Sequence, residues 1–196
     1  MNTIAPPIQS AHYPSLQAEY ANLFSICTIN NVANVDPVVD TIESNKAIYQ
    51  SVGIAPWYWI GAIHYMEADF DFTTHLYNGD PLSARTVDEP AGRPIAPPDL
   101  PNGHYSWAFS AKDSLTYQGL TSWTDWSIPG CLYQAESYNG WGYRLYHGIY
   151  SPYVWSGSQL YTTGKYASDG QFVITEVSEE VGVGVIIKRM QQRGLI

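Results

Sequence analysis

Apolar residues at helical spacing are the feature that most limits the fold of this chain, because a period of 3.6 residues does not suit a strand. The pattern predicts helices over residues 15–29, from Asp36-Pro37 to about Gly53, and onward from Pro56. It predicts three more from Ser106 to Gly119, from Pro129 to Asn139-Gly140, and from Ser178 toward the C-terminus. The chain is therefore predicted to be mainly helical.

Three segments depart from this pattern. Residues 1–13, with Pro6-Pro7, are predicted to form an extended N-terminal arm. Residues 75–101 are rich in Pro and contain the alternating piece RTVDEP, which predicts a short hairpin or irregular loops after the third helix. Residues 143–172 are aromatic and rich in Ser and Gly, and we expect mostly loop there. Together these features predict one domain, residues 1–196, of the α+β class, mainly α, with a small β-hairpin or loop region.

Composition excludes several functions. The net charge is −9 and Lys and Arg form no cluster, so a nucleic acid is not an expected partner. No stretch approaches the roughly 18 apolar residues of a membrane span, and the N-terminus lacks a signal-peptide pattern. Aromatic residues make up 14% of the chain, which is compatible with a surface for sugar rings and equally with an aromatic core. Cys27 and Cys131 stand in apolar contexts and are predicted to be reduced core residues.

Glu67 is the strongest candidate for a catalytic side chain. It follows Ile63 by four residues and Ile60 by seven, so the helical pattern directs its carboxylate toward the core. Burial and the negative end of the helix dipole both disfavour the ionised form, so its pKa is expected to be raised. A general acid working near neutral pH needs such a shift. The alternative is an ordinary solvated Glu at a helix end.

Glycoside hydrolysis usually needs a second carboxylate that activates water or stabilises positive charge on the sugar. Carboxylates that follow Glu67 closely are Asp69, Asp71, Asp80, Asp88 and Glu89. Asp80, in the turn sequence NGDP, is predicted as the partner, because a hairpin returning over the end of the third helix would place it across a cleft. The alternative is a turn residue that bonds its own backbone.

A metal site is the competing chemistry. His64 precedes Glu67 by three residues and His75 follows, so a metal-dependent amidase with a His/Glu/His ligand set is conceivable. The spacing departs from H-E-x-x-H, which favours His64 as a hydrogen-bonding neighbour of Glu67 or as a satisfied core residue. No G-x-S-x-G motif supports a serine nucleophile. No metal or cofactor is predicted.

Two short motifs carry a family resemblance. The run AIHYMEADFDF, residues 62–72, resembles the catalytic-helix motif of the lysozyme-like superfamily, especially goose-type lysozymes and soluble lytic transglycosylases. The run LYQAESYNGWGYR, residues 132–144, is similar to the Tyr-Asn-Gly helix end that lines the cleft of those enzymes. The stretch from about Trp57 to Phe172 also looks like a group of bacterial and phage proteins that degrade peptidoglycan.

The resemblance implies a lysozyme-like helical domain with Glu67 as the acid and Asp80 as an acidic cleft residue. It also implies that Tyr138 and Asn139 border the sugar site. The remaining expected sugar contacts are His64, Trp141 and Tyr143, with Tyr146, Tyr153 and Trp155 as further candidate stacking platforms. Ala68 replaces the usual Ser after the Glu, and the Gly-Leu-Met-Gln segment of lytic transglycosylases is absent. These departures leave both a hydrolysed and an anhydro product open.

The function predicted on this basis is a monomeric peptidoglycan muramidase that cleaves the MurNAc-GlcNAc bond at the cell wall, as a phage endolysin or as part of a virion. A non-catalytic glycan-binding or virion structural module is the alternative from another class, because a fold does not determine a function.

Overall fold

The computed structural model describes residues 4–168 and 170–196. The first three residues of the predicted arm lie outside this range. The helices are α1 (Tyr13–Ile26), α2 (Val32–Ser44), α3 (Lys46–Val52), α4 (Trp57–Ala68), α5 (Trp107–Tyr117), α6 (Ile128–Asn139), α7 (Pro152–Trp155) and α8 (Val183–Gln192). Strands β1 (Lys165–Ser168) and β2 (Gln171–Val173) form an antiparallel sheet, and a π-helical turn spans Tyr143–His147. The predicted fold class, α+β and mainly α, is confirmed.

The chain divides into two compact units. The first contains Met1–Asp40 and Asp125–Ile196, and the second contains Thr41–Thr124. In the first unit α6 packs against α1, α7 and α8. In the second unit α3 packs against α4 and α5.

Small residues allow close packing in the first unit. A Cβ at Gly182 would lie 2.5 Å from the carbonyl carbon of Val154, and one at Gly184 would lie 2.9 Å from the Val154 oxygen. The start of α8 therefore packs directly on the backbone of α7. Cys27 and Cys131 are buried and unbridged in this unit, as predicted.

An aromatic cluster forms part of the core of the second unit. Tyr49, His64, Phe72 and Trp107 contact one another, with ring centroids 4.3–5.9 Å apart. A Cβ at Gly61 would lie 2.5 Å from Cγ2 of Ile42, so α4 approaches the end of α2 closely here. The buried part of α4 runs from Trp59 to His64. The last turn of α4, from Tyr65 to Ala68, lies beyond this buried part.

The β structure lies elsewhere than the hairpin prediction placed it. Between residues 75 and 101 the backbone is irregular, with one isolated bridge joining Thr74 and Pro81 at its start. Side chains hold much of this loop, since Thr86 Oγ1 donates to Pro90 O and accepts from Arg93 N–H. The alternative prediction of irregular loops is therefore correct for this segment. The sheet lies within the segment expected to be mostly loop.

Helix caps were predicted with mixed success. Ser106 caps α5 as predicted, since its Oγ accepts the N–H of Phe109. The prediction that Ser178 caps the last helix is wrong, because α8 begins at Val183 with Gly182 as its N-cap. Ser178 is buried instead, and its N–H donates to Tyr161 Oη. Among the residues that the structure describes, no helix is long and apolar enough to span a membrane.

Candidate functional site

Glu67 is exposed at the last turn of α4. The prediction that its side chain is buried is wrong. Ile60 and Ile63 are fully buried, as their spacing predicts, but the helix leaves the core after His64. Glu67 therefore reaches solvent, although it continues the helical face of Ile60 and Ile63 by one turn. Burial in the free protein is thus not available to keep this carboxyl protonated.

A strained turn follows Glu67 directly. Asp69 has φ 44° and Phe70 has φ 64°, and they are the only non-glycine residues with positive φ in the described part of the chain. The left-handed conformation costs an L-residue about 1–2 kcal/mol. The turn is closed by the N–H of Asp69, which donates to Tyr65 O at 3.0 Å. Such strain concentrates at functional sites, so this turn marks the end of α4 as a candidate site.

His64 is a core residue and is not available to a substrate. Its side chain is fully buried, so the predicted sugar contact is wrong. Its Nε2 lies 3.2 Å from Asp71 O and its Nδ1 lies 3.1 Å from Tyr49 Oη. A carbonyl only accepts, so Nε2 carries the proton and Nδ1 accepts from the tyrosine hydroxyl. Burial lowers the pKa of His64 to about 4, and the ring is neutral at physiological pH.

This buried imidazole makes folding dependent on pH. The pKa of His64 is 6.5 ordinarily and about 4 in the folded protein, so the unfolded chain binds the extra proton first as pH falls. Above pH 6.5 we expect neutral His64 to make its full contribution to the free energy of unfolding. Between pH 6.5 and 4 the free energy of unfolding should fall by about 3 kcal/mol, at 1.36 kcal/mol per pKa unit. Urea unfolding across this range measures the loss. The His64→Gln variant keeps a donor and an acceptor without a titrating group, and its stability should fall less. Parallel pH profiles for the two proteins would contradict the assignment.

Asp80 holds its own loop together. Its Oδ2 accepts the N–H groups of Val87 at 2.8 Å and Asp88 at 3.0 Å, and the side-chain amide of Asn78 at 3.0 Å. These hydrogen bonds hold the pKa of Asp80 below its usual range, so the group is an anion at neutral pH. The alternative for Asp80, a turn residue that bonds its own backbone, is met only in part, because its carboxylate bonds the backbone of Val87 and Asp88 and not that of its own turn. An ionised carboxylate also has the charge that the second catalytic group requires.

The histidines do not offer free ligands for a metal. The His75 ring is buried, with Nδ1 2.6 Å from Ser110 Oγ and Nε2 2.8 Å from Ala84 O. Both nitrogens of His64 are likewise occupied. Across residues 4–168 and 170–196, no group of three His, Cys, Asp or Glu side chains is placed to hold a metal ion. The geometry gives the metal-dependent amidase no support.

The other predicted sugar contacts belong to the first unit, whereas Glu67, His64 and Asp80 belong to the second. Asn139 is exposed at the end of α6, Tyr138 and Trp141 are half-buried, and Tyr143 is only 7% exposed. Asn139 and Tyr143 share a groove of about 490 Å³, whose other polar side chains include Lys165, Tyr166 and Glu180. The structure therefore brings two of these four residues to one concave surface.

The candidate stacking platforms differ in accessibility. Tyr146 is 79% exposed and is available to a sugar ring. Tyr153 and Trp155 are buried in α7, so neither is a stacking platform. Core packing accounts for both rings, because aromatic side chains contribute much of the apolar area that a core buries.

A buried ion pair in the first unit was not predicted. Glu136 and Arg144 are both fully buried, and Arg144 Nε and Nη2 donate to the two carboxylate oxygens at 2.9 Å each. The hydroxyl of Tyr20 also donates to Glu136, and Glu19 accepts from Arg144. Burial opposes the charge of Arg144, but the hydrogen bonds and charge of Glu136 outweigh it and raise the pKa of the guanidinium. The sequence signal that could have indicated burial is the position of Glu136, four residues after Leu132 on an apolar helix face.

Comparisons with protein-family models, with curated proteins and with solved structures find no match to this chain.

Proposed function

We propose that this protein cleaves the glycan strands of peptidoglycan at the MurNAc-GlcNAc bond, with Glu67 donating the proton to the leaving oxygen. The observation that carries the proposal is the exposed Glu67 carboxyl followed at once by the strained Asp69-Phe70 turn. The resemblance of residues 62–72 to a lysozyme-like catalytic helix supports the same role. In this proposal the protein acts at the cell wall as a phage endolysin or a virion component.

The proton donor must be neutral when the substrate is bound. A glycan strand lying over the end of α4 would displace water from Glu67, and desolvation favours the protonated carboxyl. The negative end of the helix dipole acts in the same direction. In this proposal substrate binding excludes from Glu67 the water that reaches it in the free protein.

Asp80 is the proposed second carboxylate. It is an anion at neutral pH, as a group that activates water or stabilises an oxocarbenium-like sugar must be. Its backbone hydrogen bonds also restrict its position, so its side chain would need no reorganisation on binding.

A glycan-binding module without catalysis is the second candidate. One observation favours it: Oδ2 of Asp80 already accepts three hydrogen bonds from its own loop. Such a module would bind the wall and leave its bonds intact.

Digestion of purified peptidoglycan sacculi separates these functions. We expect the native protein to release fragments with new glycan ends, identified by mass spectrometry, whereas Glu67→Gln releases none. Glu89→Gln, which changes an exposed carboxylate in the loop after α4, is the matched control and should cleave normally. Sacculi that are bound but left intact by the native protein would establish the second candidate. Fragments cut at peptide or amide bonds would overturn both.

A further inference from the structure

The groove shared by Asn139 and Tyr143 lies in the first unit, between the end of α6 and the β1–β2 sheet. Its wall is formed by the end of α6 and by strand β1, and Asn139 and Tyr166 line it. At Gly140 a Cβ would meet no heavy atom within 4 Å, so side chains do not fill the rim there. At Gly142 a Cβ would lie 2.9 Å from Tyr166 Oη, so only glycine lets the tyrosine ring approach this closely. Gly140, Gly142 and Gly170 thus line the groove without placing a side chain in it.

Hydrogen bonds fix the aromatic wall of the groove. The hydroxyl of Tyr143 accepts the N–H of Tyr166 at 3.1 Å, and Tyr166 Oη lies 2.9 Å from His147 Nε2. The His147 ring stacks on Phe172 with centroids 3.5 Å apart. The wall is thus positioned before any ligand arrives, which reduces the ordering that binding requires.

Two opposite charges line the groove, and no residue of the described ranges 4–168 and 170–196 pairs with either of them. Lys165 on β1 and Glu180 both border it. Within the described residues neither the ammonium of Lys165 nor the carboxylate of Glu180 has a hydrogen-bond or ion-pair partner.

We propose that this groove binds a short zwitterionic peptide, whose carboxylate pairs with Lys165 and whose amino group pairs with Glu180. A neutral sugar would leave both charges uncompensated, whereas a peptide with two free ends matches them. The amide of Asn139 and the hydroxyl of Tyr166 add hydrogen-bonding groups for the peptide backbone. A volume of about 490 Å³ lies within the usual range for small-ligand sites. The site goes beyond the proposed glycan cleavage and uses neither Glu67 nor Asp80, and it gives Asn139 and Tyr143, which were predicted to contact sugar, a peptide as their ligand.

Calorimetric titration with trialanine tests the proposal. The probes are free trialanine, its N-acetylated form and its C-terminal amide. We expect saturable binding of free trialanine and at least a tenfold loss of affinity when either end is blocked. Lys165→Gln should lose its discrimination between the acid and the amide while still rejecting the acetylated form. Glu180→Gln should show the opposite pattern, because each substitution removes the partner of one end.

Matched controls are available in the same chain. Glu179→Gln changes the exposed carboxylate next to Glu180 but outside the groove, and Lys112→Gln changes an exposed amine of the second unit. Both should bind trialanine like the native protein. The proposal is overturned if trialanine does not bind, if blocked and free peptides bind equally, or if the groove variants behave like the controls. Binding of a chitooligosaccharide in place of trialanine would also overturn it. Because no readout uses wall cleavage, failure here is distinguishable from failure of the Glu67 proposal.

Discussion

Arg144→Met should lower the free energy of unfolding by about 3–5 kcal/mol, the usual cost of removing one partner of a buried ion pair. The substitution leaves the Glu136 carboxylate fully buried without its bidentate partner, and the hydroxyl of Tyr20 alone does not balance a charge. The Arg144 side chain also donates to Ile8 O, so the N-terminal arm loses that attachment, whereas the hydrogen bond from Gln9 Nε2 to the backbone carbonyl of residue 144 is kept. Urea unfolding followed by far-UV circular dichroism measures the change.

Two further variants show whether the buried charge is the cause. Arg193→Met removes a half-buried cation that pairs with Asp40 and Asp36 at the surface, and it should cost no more than about 1 kcal/mol. Arg144→Met combined with Glu136→Leu removes the fully buried pair but leaves Glu19, whose side chain is 8% exposed, without its cation, so it should recover only part of the lost stability. If Arg144→Met unfolds within about 1 kcal/mol of the native protein, the pair is not the stabilising feature described here.

Glu67→Gln should reduce the initial rate of wall clearing by about 100-fold or more, the usual contribution of a general acid. Glutamine keeps the size and polarity of the side chain but cannot donate the proton. Because Glu67 is exposed, the stability of the variant should stay within about 0.5 kcal/mol of the native value. Turbidity loss of sacculi and urea unfolding, measured on the same preparations, separate lost chemistry from lost fold. A variant that clears sacculi at more than a tenth of the native rate would remove Glu67 from the mechanism.

Glu67 and Glu136 show that helical spacing alone does not predict whether a carboxylate is buried. Both follow a buried apolar residue by four positions on a helix, so a sequence rule treats them alike. The structure buries Glu136 completely and exposes Glu67, because α4 leaves its core at the last turn. The feature that makes burial of Glu136 tolerable is Arg144, which the chain brings back only after α6 has ended.

Features that depend on neighbours along the chain can be predicted from the amino-acid order alone. Helical spacing located most of the helices, and Ser106 marked the start of α5. The single helix predicted from Asp36-Pro37 to Gly53 is wrong, because this segment forms α2 and α3 and Pro37 lies inside α2. Three other features follow from tertiary contacts: which carboxylates are buried, where the two strands pair, and which charges share the groove of the first unit. Those properties depend on contacts between residues far apart in sequence. Helical or strand periodicity does not indicate which distant segment provides the paired strand or the opposite charge.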